Sequence, residues 1–378
     1  MAVPPVVPPP RPRSQPPRSG RHSSRRLGSS LGHAVALAIL RFAKLFHGRT
    51  GALLISAIVV VCVAGVTAGV AEVATPIGLS QLTSATGPAT IGTYSHHPVV
   101  ISLPAQPESY LGLFARGVPN SYAPITAITD STGVRPSVAL YYSGWYEKFQ
   151  SAFAAQAERN GAVPLIQIDP SGINLTAIVA GVYDTFLETF ATEVAGFGAQ
   201  TGHGVIISFG HEMNGYWYRW GYRHTTPAVF VAAWRHVVSV FRQQGADDVT
   251  WLWTANIIDV RGGIPDPAPW WPGDSFVTWV GIDGYYYKPS WTFASLFGPT
   301  IKAVRALTRD PILIAETGAA PAAGQPAKIV DLAAGIHAYG LLGFVWFDAD
   351  GVKSWSLDGP AAVAALRQVA EAYHGPAA

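Results

Sequence analysis

From Tyr110 onward the chain alternates eight short β-type runs with longer stretches, most of them helical in pattern. Strands joined this way are parallel, because each connection must cross back over the sheet. The strand runs are Tyr110–Phe114, Ser137–Tyr141, Val163–Ile168, Gly204–Phe209, Thr250–Trp253, Trp279–Ile282, Ile312–Ala315 and Gly343–Phe347. Helical patterns fall at Ala123–Asp130, Trp145–Asn160, Tyr183–Gly196, Thr226–Gln244, Phe293–Thr308, Ala327–Tyr339 and Pro360–His374. The segment Ile257–Thr278 carries Pro265, Pro267, Pro269 and Pro272 and reads as loop. Eight such units over roughly 270 residues predict an α/β chain folded as a (β/α)8 barrel. An open doubly wound sheet usually has a Gly-rich phosphate loop after its first strand, and none follows Phe114.

The chain before the barrel has a different texture. Residues 1–71 hold nine Lys or Arg and no acidic residue, whereas the remainder carries a net charge of −7. A basic tail on a mildly acidic body does not suit a nucleic-acid binder. Residues 1–50 read as a basic tail, its first part too rich in Pro, Arg and Ser to fold, with Leu31–Phe46 a candidate interfacial helix. Gly51–Ala71 has no charge and is long enough to cross a bilayer. Basic residues precede it and Glu72 follows, so the tail stays in the cytoplasm and the rest lies outside. The same segment also suits a signal peptide cleaved near Gly69 and Ala71. Residues 72–105 read as a linker and 106–378 as the barrel domain. The expected location is the extracellular face, membrane-anchored or secreted. Cys62 is the sole cysteine, so no internal disulfide exists. No Cys/His cluster has zinc spacing, and nothing in the pattern asks for a cofactor.

Barrel chemistry sits at the C-terminal ends of the strands. The fourth strand run is followed by GHEMNGYWYRWG, the sixth by GYYY after Asp283, and the seventh leads into AETG. Acids and aromatics therefore gather at one end of otherwise apolar strands. Glu212 and Glu316 end strands expected to be buried on both faces, where a carboxylate must be paired, hydrogen-bonded or neutralised. Two carboxyl groups facing each other suit glycosidic cleavage: one protonates the departing oxygen while the other attacks the anomeric carbon or activates water. Tyr285 is a candidate donor to Glu316, and Trp346, ending strand eight, a candidate floor under the sugar. Asp283 is expected to bind a sugar hydroxyl or to brace Arg219 or His211. Asn214 is expected to shape its loop.

With its motif HEMNGYWYRW and glutamates on strands four and seven, the chain from about Tyr110 to His374 resembles glycoside hydrolase family 26. The resemblance implies that Glu212 is the general acid/base and Glu316 the nucleophile of a retaining, double-displacement mechanism. It implies that His211 helps hold the sugar and orient the catalytic groups, and that Trp217, Asp283, Tyr285 and Trp346 line the cleft. A polysaccharide is the implied partner, with β-1,4-mannan ranked first as the family's commonest substrate and mixed-linkage β-1,3-1,4-glucan the alternative. Many mannanases of the family carry an Arg shortly before the His-Glu pair and a WFWW-like run after it. Here those stretches read ISFGHE and WYRW, which leaves a β-glucan open. A surface carbohydrate-binding protein or an exopolysaccharide-processing protein is the other class the sequence allows.

Overall fold

A computed structural model of the chain describes residues 103–373. The tail, the candidate interfacial helix and the apolar 51–71 segment lie outside the described residues. Among the described residues no helix is long and apolar enough to cross a membrane.

Eight parallel strands close into a barrel in sequence order. They are β1 (Tyr110–Pro119), β2 (Val138–Gly144), β3 (Val163–Asp169), β4 (Val205–Phe209), β5 (Val249–Asn256), β6 (Trp279–Asp283), β7 (Ile312–Thr317) and β8 (Gly343–Asp348). The outer ring holds α1 (Ala123–Thr132), α2 (Ser151–Arg159), α3 (Leu175–Val179), α4 (Asp184–Thr201) and α5 (Pro227–Gln243). It continues with α6 (Phe293–Leu296), α7 (Gly298–Leu307), α8 (Gln325–Tyr339) and α9 (Gly359–Ala370). All eight expected strands are present. The Pro-rich stretch between β5 and β6 is loop with two single 3-10 turns. Two helical expectations shift. The second helix starts at Ser151, because the chain first turns at Trp145 and Tyr146. The stretch Phe293–Thr308 splits in two at Phe297, where Gly298 and Pro299 open a new first turn. The five-residue α3 was not foreseen.

Strand alternation divides the core into two layers. Inside the barrel, Tyr110, Val138, Leu140, Leu165, Ile206, Leu252, Trp279, Leu313 and Val345 form one apolar cluster. Tyr110 and Trp279, at the starts of β1 and β6, meet at 4.9 Å and fill the lower end. The outward residues of the same strands pack against the helices in a larger cluster that includes Trp251, Trp253 and Trp346. Higher in the interior the residues turn polar: Gln167, Ser208, Thr254, Asn256 and Asp283 are all fully buried. Apolar filling below and polar groups above leave one end of the barrel able to do chemistry.

Candidate active site

Glu212 lies just past the end of β4. Gly210 and Glu212 both take positive φ, 58° and 54°. Glycine adopts that conformation freely, but a glutamate is held there only if its surroundings insist. They do: the Glu212 amide donates to the Thr254 carbonyl of β5 at 2.8 Å. The Trp220 indole donates to the His211 carbonyl at 2.8 Å. Asn214 ties the same loop to β5, donating to the Asn256 carbonyl and accepting from its amide, both at 2.9 Å. That is the loop-shaping place expected of it.

The Glu212 carboxylate accepts from the Trp217 indole at 2.7 Å and from the Asn256 side-chain amide. Burial raises its pKa, His211 lowers it, and the charge of Glu316 raises it again, with the two donors pulling down. The balance leaves it pushed up to about 7. Trp217, expected as a sugar platform, is thus also a direct partner of this carboxylate.

Glu316 owes its position to an irregularity in β7. Leu313 and Ala315 face the interior, so strict alternation would send Glu316 outward. Instead β7 carries an extra residue: Ile282 pairs with Ile314 but Asp283 with Glu316, and on the other side the register shifts between Ile314 and Thr317. A bulge of this kind re-aims a side chain, and here it turns Glu316 inward. Three donors then converge on it. Tyr142 of β2 and Gln167 of β3 reach Oε1 at 2.5 and 2.7 Å, and Tyr285 reaches Oε2 at 2.7 Å. Donors from two strand ends and the loop after β6 fix its orientation.

His211 is buried, and its Nδ1 lies 3.0 Å from Asp169 Oδ1 at the end of β3. Burial lowers its pKa, but Asp169 and the nearby glutamates outweigh that and leave it at about 9. The imidazole is therefore charged at neutral pH, a fixed cation beside two catalytic-type carboxylates. Asp283 does not brace it, nor Arg219, which is exposed. Asp283 is fully buried, and neither carboxylate oxygen has a hydrogen-bond partner among the described residues. Burial first, then Glu316 and Glu212, push it well above the ordinary carboxylate range. His211, Asp283 and Glu316 present ligand atoms within 4.8 Å of one another. Both oxygens of Glu316 already accept from O–H and N–H donors, which suits a carboxylate held for chemistry better than a metal ligand.

Trp346 requires a correction. It is fully buried, belongs to the outer cluster, and its indole donates to the Trp355 carbonyl at 3.0 Å. It offers no face to the cleft. Val345 faces the interior, so by alternation the rim position falls to Phe347. Phe347 is half-buried, stacks on Phe114 at 4.5 Å and meets Tyr285 edge-on at 6.0 Å. Sequence reasoning also missed Tyr142, Gln167, Asp169 and Asn256. Their signal was present: polar side chains at the C-terminal ends of β2, β3 and β5, with Tyr142 and Gln167 on the parity of Leu140 and Leu165.

Fold and rim resemble those of (β/α)8-barrel glycoside hydrolases. The family model of glycosyl hydrolase family 26 matches residues 185–321, from α4 through β7 with both glutamates. Among curated proteins it is similar to endoglucanase H of Acetivibrio thermocellus, 28% identical over 274 residues. That alignment covers 67% of this chain and only 29% of the relative's length. Among solved structures it resembles the YdhT protein from Bacillus subtilis, 19% identical, TM-score 0.53, covering 70% of this chain and 85% of that one. A GH26 β-mannanase from Bacteroides ovatus is 16% identical with a TM-score of 0.52, covering 69% and 87%. A modular endo-β-1,4-mannanase from Cellulomonas fimi is 15% identical with a TM-score of 0.54, covering 69% and 70%.

Proposed function

We propose that this barrel is a retaining endo-β-glycosidase acting on a β-linked polysaccharide. One observation carries the reading: two buried glutamates stand on one rim in different settings, one with a raised pKa and one gripped by three hydrogen-bond donors. Glu212 is pushed up to about 7 and can hold a proton near neutral pH. Glu316 accepts from three donors, Tyr142, Gln167 and Tyr285, which fix the orientation of its carboxylate.

In the first step a Glu316 oxygen attacks the anomeric carbon, and the bond to the departing oxygen breaks. Glu212 gives its proton to that oxygen, and a glycosyl ester forms on Glu316. In the second step Glu212, now ionised, takes a proton from water. The resulting hydroxide attacks the anomeric carbon and frees Glu316, so two inversions retain configuration. Charged His211, held by Asp169, stabilises Glu212 once it has given up its proton.

Of the two substrates, a mixed-linkage β-glucan fits best. The curated relative is an endoglucanase, and the ISFGHE and WYRW stretches depart from the mannanase pattern. β-1,4-Mannan, first on family resemblance, becomes the second reading, since the mannanase structures share 16% identity or less with this chain. The basic tail and uncharged 51–71 segment support a place outside the cytoplasm, tethered or secreted. Protease accessibility on intact cells tests that placement.

The mechanism is tested with Glu316→Ala and Glu212→Ala on both polymers and on activated aryl glycosides, with product anomers read by NMR. Glu316→Ala should abolish all cleavage, and azide should restore part of it with inverted product. Glu212→Ala should lose far more on polymer than on good leaving groups. An inverted product from the parent enzyme would overturn the retaining mechanism.

A further inference from the structure

Just past β2 the chain turns at Trp145 and Tyr146. Trp145 is buried, but Tyr146 is 62% exposed and its backbone sits at φ 70°. Bulky side chains avoid this left-handed region, whereas asparagine or glycine would suit it. The tyrosine is therefore kept there against its local preference, and solvent exposure gives folding no reason to keep it. Its ring makes T-shaped contacts with Tyr183 at 6.1 Å and Phe186 at 5.5 Å, at the start of α4. Two rim segments thus build one aromatic patch, half of it open to solvent.

The patch is continuous with the catalytic end of the barrel. A cavity of about 590 Å³ is lined by Tyr142, the donor to Glu316, and by Glu147 and Lys148. A second, of about 470 Å³, is lined by the same Glu147 and Lys148 together with Tyr146, Tyr183 and Phe186. Both volumes fall within the ~300–1,000 Å³ range of small-molecule sites. The Glu147 carboxylate is held in place, accepting from the Gly144 amide at 2.8 Å. An apolar ring beside a fixed carboxylate and an ammonium matches a pyranose, which has C–H faces to stack and hydroxyl groups at its edge.

We infer that Tyr146, backed by Tyr183 and Phe186, is a distal sugar-stacking platform that grips the polysaccharide away from the bond being cut. Continuity through Glu147 and Lys148 to Tyr142 commits the site to the substrate chain itself rather than to a separate partner. The inference rests on the proposed polysaccharide hydrolase reading, and the test separates the two.

Tyr146→Asn removes the ring while placing a residue that accepts the left-handed backbone, so the variant should fold and melt at or above the parent temperature. Its KM should rise roughly three- to tenfold on soluble mixed-linkage β-glucan or β-1,4-mannan, whichever the parent cleaves, with kcat unchanged. Turnover of a short aryl glycoside should not move, and Tyr146→Phe should restore the polymer KM. An unchanged polymer KM in Tyr146→Asn overturns the platform and leaves the hydrolase reading standing. Should the parent cleave neither polymer, the hydrolase reading falls. Affinity electrophoresis on the same two polymers then decides the platform alone: retardation lost in Tyr146→Asn supports it, and absent or unchanged retardation overturns it.

Discussion

Replacing Trp217 by phenylalanine should move the pH dependence of the enzyme in a direction that the geometry dictates. The Trp217 indole N–H donates to Glu212 Oε2 at 2.7 Å. That bond favours the ionised carboxylate and so holds the Glu212 pKa down. Phenylalanine keeps an aromatic ring and deletes the donor. A hydrogen bond to a charged group contributes ~1.5–3 kcal/mol, and one pK unit corresponds to about 1.4 kcal/mol. Trp217 is only half-buried, so water can take up part of the freed acceptor. The lower end of that range applies, and the carboxyl rises by about one pH unit. In the proposed mechanism cleavage needs Glu212 protonated, so activity falls as pH rises through the Glu212 value of about 7. The alkaline limb of kcat/KM should therefore shift to higher pH in Trp217→Phe. The assay is a pH profile on an unactivated oligosaccharide, where proton donation matters. The position of the limb is read, not its height, because losing the indole also weakens sugar contacts. A limb that stays put or shifts to lower pH would refute the placement of Glu212 as the acid held by Trp217.

Two further outcomes follow from burial. Glu212 rises from an ordinary 4.5 to about 7 on folding, so the parent loses stability as pH climbs between those values, by on the order of 3 kcal/mol. Glu212→Gln cannot ionise, and its stability relative to the parent should grow with pH across that interval, as read by urea unfolding at acid and alkaline pH. At the end of β8, Trp346→Ala should destabilise by about 3–5 kcal/mol, while Phe347→Ala should raise KM with little change in melting temperature. Thermal melts and kinetics of the pair check which residue faces the cleft.

The electrostatics of the rim are lopsided. Asp169, Glu212, Asp283 and Glu316 surround one cation, His211, among the groups coupled at this site. So many acids in one buried place cannot all ionise. Asp283 is the one whose oxygens have no hydrogen-bond partner among the described residues, and its pKa is raised well above the usual carboxylate range. Glu316, by contrast, accepts from three donors. Hydrogen-bond supply thus gives chemically similar groups different surroundings within one site.

The amino-acid pattern alone determined the eight strands, the parallel barrel and the clustering of acids and aromatics at one end. Those follow from local alternation and from the need to cover both faces of an apolar strand. Tertiary structure decided which way the rim side chains point. Glu316 faces inward because β7 holds an extra residue relative to both neighbours, an offset visible only once β6 and β8 are paired with it. Trp346 faces outward because β8 keeps its regular register with β1, giving the rim to Phe347. The donors to Glu316 come from β2, β3 and the loop after β6, up to 174 residues away along the chain. Composition and spacing carry periodicity but not register, and a one-residue shift in register exchanges the two faces of a strand.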